Sequence, residues 1–213
     1  MTRFLRLMLC VALAGTALAA QARAALDFFT DMPVDAFNLL SRITRQDMID
    51  YYNAGLTTGS DNIFGGKARI LRASDNSVDF LVSKHSTATL AVLPAGSDTV
   101  IAIIETVKTP TPDSSIAFFR ASDWSRIPVA LPTMRDFLTP EGRKARLSAA
   151  DFPDMNFYTV EFNPDTSVFT FRERTAEHYA LPEGNPPEYA VLQYLMPQIS
   201  RILKGSRLVE PDK

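Results

Sequence analysis

Residues 99–107 read TVIAIIETV. Val100, Ala102 and Ile104 fall on one side of an extended chain, and Ile101, Ile103 and Val107 on the other. A half-covered strand alternates apolar with polar residues, whereas one that is apolar on both sides is covered from both sides. The stretch therefore reads as a central strand, and Glu105 is the one charge placed within it.

Outward from it the period of two continues. Lys67–Arg72, Val78–Ser83 and Thr87–Leu93 read as strands before it, and Ser115–Arg120 and Arg126–Leu131 as strands after it. The breaks carry turn residues: Ser74-Asp75-Asn76, Ala95-Gly96-Ser97 and Pro110-Thr111-Pro112. Links this short make hairpins, so the pairing is antiparallel. Asn156–Phe162 and Ser167–Arg172 form a further hairpin around Asn163-Pro164-Asp165. Ile199, Arg201 and Leu203 alternate, Lys204-Gly205 turns the chain and Arg207–Val209 returns, which predicts a C-terminal hairpin.

Helical signals flank these strands. Asp31-Met32-Pro33 looks like a cap and first turn, with Val34, Phe37, Leu40 and Ile43 at helical spacing. Thr44 with Asp47 is a weak capping-box variant, Met48, Ile49 and Tyr52 continue the apolar face, and Gly55 stops it. The expectation is one helix broken near residues 41–44, or two short ones. Thr139-Pro140-Glu141 caps a short basic helix through Arg146, and Pro187 opens a last helix that Pro197 ends.

The N-terminus reads as an export signal. Arg3 and Arg6 precede an uncharged, mostly apolar run from Leu7 to Ala20, and small residues follow it. Stable crossing of a bilayer needs roughly 20 apolar residues. The run is shorter and fits a signal-peptide core. Ala22-Arg23-Ala24 is the preferred cleavage motif, with the cut before Ala25; Ala17-Leu18-Ala19 and Ala20-Gln21-Ala22 have the same form. The expected division is a signal peptide over residues 1–24 and one α+β domain over residues 25–213. Cleavage would remove Cys10, the single cysteine, and so any disulfide. It would also lower the basic count from 22 to 19 against 24 acids, taking the formal charge from −2 to −5. Such a balance argues against a nucleic-acid partner, which requires a basic field. After cleavage no apolar run of membrane-spanning length remains.

Several short matches, in order along the chain, carry a resemblance. They are Met32-Pro33, Asp47-Met48-Ile49-Asp50, Asn62 with Gly65-Gly66-Lys67, Phe118-Phe119, Asp123-Trp124, and Lys204-Gly205 followed by Arg207. Together they resemble a family of exported proteins from Bacteroidetes catalogued only as domain of unknown function 3256. The resemblance implies a location and a size, but no activity, cofactor or catalytic residue. The stretch from Thr175 to Asn185 departs from the family's pattern.

The G-x-S-x-G elbow is absent. Ser60-Asp61-Asn62 and Ser74-Asp75-Asn76 have the S-D-N form, but no lysine has a serine three positions earlier. These segments, like Gly96-Ser97-Asp98, read as turns. His85 and His178 are the only histidines, far apart and outside any H-E-x-x-H pattern, so a shared zinc site is not expected. Asp47 and Asp50 share a helix face, which reads as solvated. Glu105 needs a partner if buried, and Arg72 or Arg120 on adjoining strands is expected to supply it. Gly65-Gly66-Lys67 lacks the rest of a phosphate-binding loop. Arg143, Lys144 and Arg146 read as a solvated helix face, with a small anion site as the alternative. Trp124, with Tyr51, Tyr52 and Phe119, reads as core rather than a sugar platform.

The resulting expectation is an α+β fold: a mostly antiparallel sheet of about nine strands, with helices at the start of the mature chain and before the C-terminal hairpin. No catalytic, cofactor-binding or metal residue is assigned. The function expected is a non-catalytic binding or interaction module of the periplasm or cell envelope, with an unknown protein or small-molecule partner. An envelope hydrolase assembled from distant loops is the alternative, and a structural part of a larger envelope assembly is a third.

Overall fold

A computed structural model describes residues 24–95, 98–108, 110–180 and 189–212. Residues 1–23, which hold the expected signal segment and all of its cleavage motifs except Ala24, lie outside the described residues, as do the Gly96-Ser97 turn and Pro187. The described residues open with α1 (Ala25–Asp31) and α2 (Arg42–Asn53). Seven strands follow: β1 (Ser60–Asp61), β2 (Lys67–Ala73), β3 (Ser77–Ser83), β4 (Ser86–Ala95), β5 (Asp98–Val107), β6 (Asp113–Arg120) and β7 (Arg126–Ile127). They form one antiparallel sheet in sequence order. After α3 (Pro140–Lys144) come β8 (Tyr158–Asn163), β9 (Val168–Glu173), α4 (Thr175–Tyr179), β10 (Gln198–Lys204) and β11 (Arg207–Val209). Their order in the second antiparallel sheet is β11-β10-β9-β8.

The α+β fold expected from the sequence is the one observed, with its strands divided between two sheets. Helices α1 and α2 cover one face of the seven-stranded sheet. Phe80 on β3 is fully buried there, its ring centroid 4.9 Å from that of Phe29 on α1 and 5.5 Å from that of Phe37. Truncating such a ring to alanine costs about 3–5 kcal/mol. The opposite face meets the second sheet: Val100, Ala102, Ile104 and Phe118 pack with Phe169, Phe171 and Ile199. This explains why residues 100–104 are buried without a break. Strand β5 is interior as expected, although β4 holds the middle of the order. Two cross-sheet bonds satisfy the outer edge of β8, from Val160 N–H to Ser114 Oγ at 3.0 Å and from Tyr158 N–H to Asp113 Oδ1 at 3.2 Å.

Four local expectations need correction. The first helix ends at Asp31 instead of beginning there, because Pro33 drives Met32 into an extended conformation (ψ 124°). The second helix is capped by Ser41, whose Oγ accepts from Thr44 N–H at 3.0 Å, so Thr44 lies inside the helix. Strand β7 keeps only Arg126 and Ile127 of the expected 126–131; Ala130 makes one parallel bridge, to Arg207. The last helix is a short 3-10 turn over Ala190–Tyr194. The C-terminal hairpin forms as expected, with Gly205 at φ 61° in its turn.

Candidate functional site

Helices α1 and α2 pack on β1–β4 and stop short of the β6–β7 edge of the sheet. On β6 the residues facing the helical side are Ser115, Ala117 and Phe119, opposite Glu105, Ile103 and Ile101 of β5. Ser115 and Ala117 are small, so the sheet surface is low at that point. A cleft of about 580 Å³ results, within the range of roughly 300–1,000 Å³ usual for small-molecule sites. Its floor is Ile103, Glu105, Ser115 and Ala117; Pro33, Asp35 and Ala36 form one wall, and Phe119, Asp123, Trp124 and Arg126 the other.

Both walls are held in place. Arg45 of α2 is 1% exposed and donates to the carbonyls of Thr30, Met32 and Leu40, fastening both ends of the loop that carries Asp35. Trp124 sits at φ 59°, a conformation that costs a bulky residue of order 1–3 kcal/mol. Its N–H donates to Arg120 O at 2.9 Å, and Arg120 N–H donates to Ser125 O at 2.9 Å. Asp123 Oδ1 accepts from Ser125 N–H at 2.9 Å, closing the turn. The Trp124 ring then rests 6.1 Å from that of Phe119.

Glu105 is half-buried, and neither expected arginine reaches it. Arg72 Nε donates to Asp79 Oδ2 at 2.9 Å, and Arg120 pairs with Asp98 at 3.5 Å. Register is the reason. Val100 stands opposite Arg120 and Ser115 opposite Glu105, so Arg120 lies on the other face of the sheet; Arg72 is on β2, three strands from β5. Among the described residues the Glu105 carboxylate has no hydrogen bond or ion pair, and burial raises its pKa above the ordinary glutamate value. The Asp123 carboxyl is held below its usual range, first by the Ser125 side chain and backbone donors.

The other sequence candidates stay dispersed. Asp47 and Asp50 are exposed on α2. His85 is exposed in the β3–β4 turn, while the His178 ring lies 4.3 Å from Phe157 and bonds Thr111 through Nδ1 at 3.1 Å. Among the described residues no group of three His, Cys, Asp or Glu could hold a metal ion. Lys67 pairs with Asp61 at 2.8 Å, and the Gly65-Gly66 turn is tied by Asn62, whose Oδ1 accepts from Phe64 and Gly66 N–H at 2.9 Å each. Ser60 is buried at the sheet edge. Arg143, Lys144 and Arg146 are exposed on and after α3. Tyr52 accepts from Ala73 N–H at 3.2 Å and packs in the helix–sheet core, so the four aromatic residues do not form one platform. Asp35 and Arg126 carry no signal in the sequence as site residues, and neither does the meeting of Glu105 and Trp124 in one cleft. The available signal was the small pair Ser115 and Ala117 beside a charge on an apolar strand.

With this geometry in view, the chain belongs to the family described as protein of unknown function (DUF3256), whose model matches residues 17–185. It is similar to the solved structure of a domain of an uncharacterized protein from Porphyromonas gingivalis W83. The two are 22% identical, with a TM-score of 0.67 over 88% of this chain and 100% of that one, a likeness of fold. No curated protein matches the chain. Among the described residues no helix is long and apolar enough to cross a membrane.

Proposed function

We propose that the protein is exported and works in the cell envelope as a binding module, with the cleft over β5 and β6 as its site. Arg3, Arg6, the Leu7–Ala20 run and the A-x-A endings support export. One observation carries the binding reading: a half-buried Glu105, unpaired among the described residues, on the floor of a cleft walled by the single tryptophan of the chain. A charge left without a partner costs folding free energy, and a ligand that meets it recovers that cost.

Trp124 supplies the assay, because it is the only tryptophan and lies in the site. Fractions of small molecules and of peptides from envelope extract are titrated against the purified protein while Trp124 emission is followed. At least one fraction should shift the emission saturably, and Ala117→Phe, which fills the floor, should abolish the shift. If no fraction acts, or if the filled variant responds like the native protein, this cleft is not the binding site.

The hydrolase reading rests on the same carboxyl, since a raised pKa suits a general acid. Turnover of peptidase, esterase, glycosidase or phosphatase substrates that disappears in Glu105→Gln would replace the binding module with an enzyme.

A further inference from the structure

We infer that the cleft over β5 and β6 takes an organic monocation, a primary ammonium or guanidinium on an apolar stem, with Glu105 as its counter-ion and Trp124 as its wall. The inference rests on the binding-module reading and specifies its ligand class.

Charge is the first argument. Asp35, Glu105 and Asp123 line the cleft against one cation, Arg126, so its field favours a positive guest. These groups are not equivalent. Asp123 already accepts from Ser125 N–H, and Asp35, Asp123 and Arg126 are exposed on the rims. Glu105 lies lower, beside Ile103, with neutral Ala88 of β4 and Ser115 of β6 as its cross-strand neighbours. It is the one carboxylate of the cleft whose solvation is reduced without a replacement donor among the described residues.

Shape and surface are the second argument. Trp124, backed by the buried ring of Phe119, offers an aromatic surface on the wall, and a cation over an indole face is attracted by the ring quadrupole. Ile103 and Ala117 provide an apolar surface for a methylene stem. A hard divalent ion requires about six oxygen ligands, and the carboxylates here do not gather into a metal-binding group of three. An anion would face three carboxylates. A neutral sugar could stack on Trp124 but would leave the charge of Glu105 uncompensated.

Glu105 must be ionised to hold a cation, so affinity rises as pH rises through its elevated pKa and falls in acid. Asp35, Asp123 and Arg126 face the same space from the α1–α2 loop, the β6–β7 turn and β7.

The test titrates purified protein with n-butylammonium, with the peptide acetyl-Gly-Lys-Gly-amide, and with n-butanol, butyrate and glucose as controls, reading Trp124 emission. At least one of the two cations should bind saturably, each control at least tenfold more weakly. Glu105→Gln should weaken the cation at least tenfold without loss of cooperative unfolding. Ala117→Phe should block binding with Glu105 intact. Response to butylammonium alone marks a small free amine as the ligand, and response to the peptide marks a polypeptide side chain; either supports the inference. Butanol, butyrate or glucose binding as well as the cations would overturn it while leaving a binding cleft. Binding unchanged in Glu105→Gln, or silence toward both cations, would also overturn it; the extract fractions judge the binding-module reading separately.

Discussion

Arg45 Nη1 donates to the carbonyl of Leu40 at 2.6 Å, while Nη2 serves the carbonyls of Thr30 and Met32. The guanidinium is 1% exposed and joins α2 to both ends of the segment that carries Pro33, Asp35 and Ala36. One buried cation thus replaces the backbone donors that this irregular segment cannot supply for itself.

Arg45→Met should therefore destabilise the protein by at least about 2 kcal/mol, because buried carbonyls lose their donors. Arg45→Lys should recover only part of this, since one ammonium cannot reproduce the planar fork. Denaturant unfolding measures both. A loss under about 0.5 kcal/mol for the methionine variant would show that water replaces the guanidinium.

Glu105 should limit stability while serving binding. Its folded-state pKa is raised by burial. The stability attached to its neutral form is full below the unfolded value of about 4.3 and is lost as pH rises through the folded value. Glu105→Gln cannot ionise, so its melting temperature should exceed that of the native protein at pH 7–8 and converge with it near pH 4. A lower melting temperature for the variant at neutral pH would reveal a favourable partner for the carboxylate in solution.

Gly205 turns β10 into β11 at φ 61°, and a Cβ there would meet nothing within 4 Å. The penalty of Gly205→Ala is thus purely conformational, about 1–2 kcal/mol. Deleting residues 198–213 should cost far more, because β10 pairs with β9 and buries Ile199 in the core between the sheets. Calorimetry should show a lowered transition for the first and no cooperative transition for the second. An unaffected truncation would mean that β8 and β9 cover the seven-stranded sheet alone.

Export predicts that protein taken from the envelope fraction begins at or near Ala25. The Ala25 N–H donates to Asp75 O at 3.0 Å and the residue is buried. A cut before Ala25 would therefore place the new ammonium against the β2–β3 turn. N-terminal sequencing decides among the three A-x-A motifs, and an intact Met1 on cytoplasmic protein would end the export proposal.

The alternation along 67–131 and 156–209 was enough to place most strands and the closing turn at Gly205, because period, turn residues and positive φ are local properties. The same locality misled at Pro33, which suits a helix start and a helix stop equally: it holds Met32 extended and so ends α1, which packs on β3. Double coverage was legible and holds for Val100–Ile104, whereas Glu105 and Thr106 are half-buried and Val107 is exposed; that helices lie on one side and a second sheet on the other was not legible. The partner of Glu105 was misjudged because strand register sets the face on which each side chain lies. One step of register carried Arg120 to the opposite face, and Asp79 took Arg72. Which residues meet Glu105 is a long-range question, settled by where the helical layer ends and by the turn that brings Trp124 back over β6. The sequence alone determined most of the strands, the hairpins and the family; tertiary structure alone decided the cleft, because a concave site is the gap that packed layers leave uncovered.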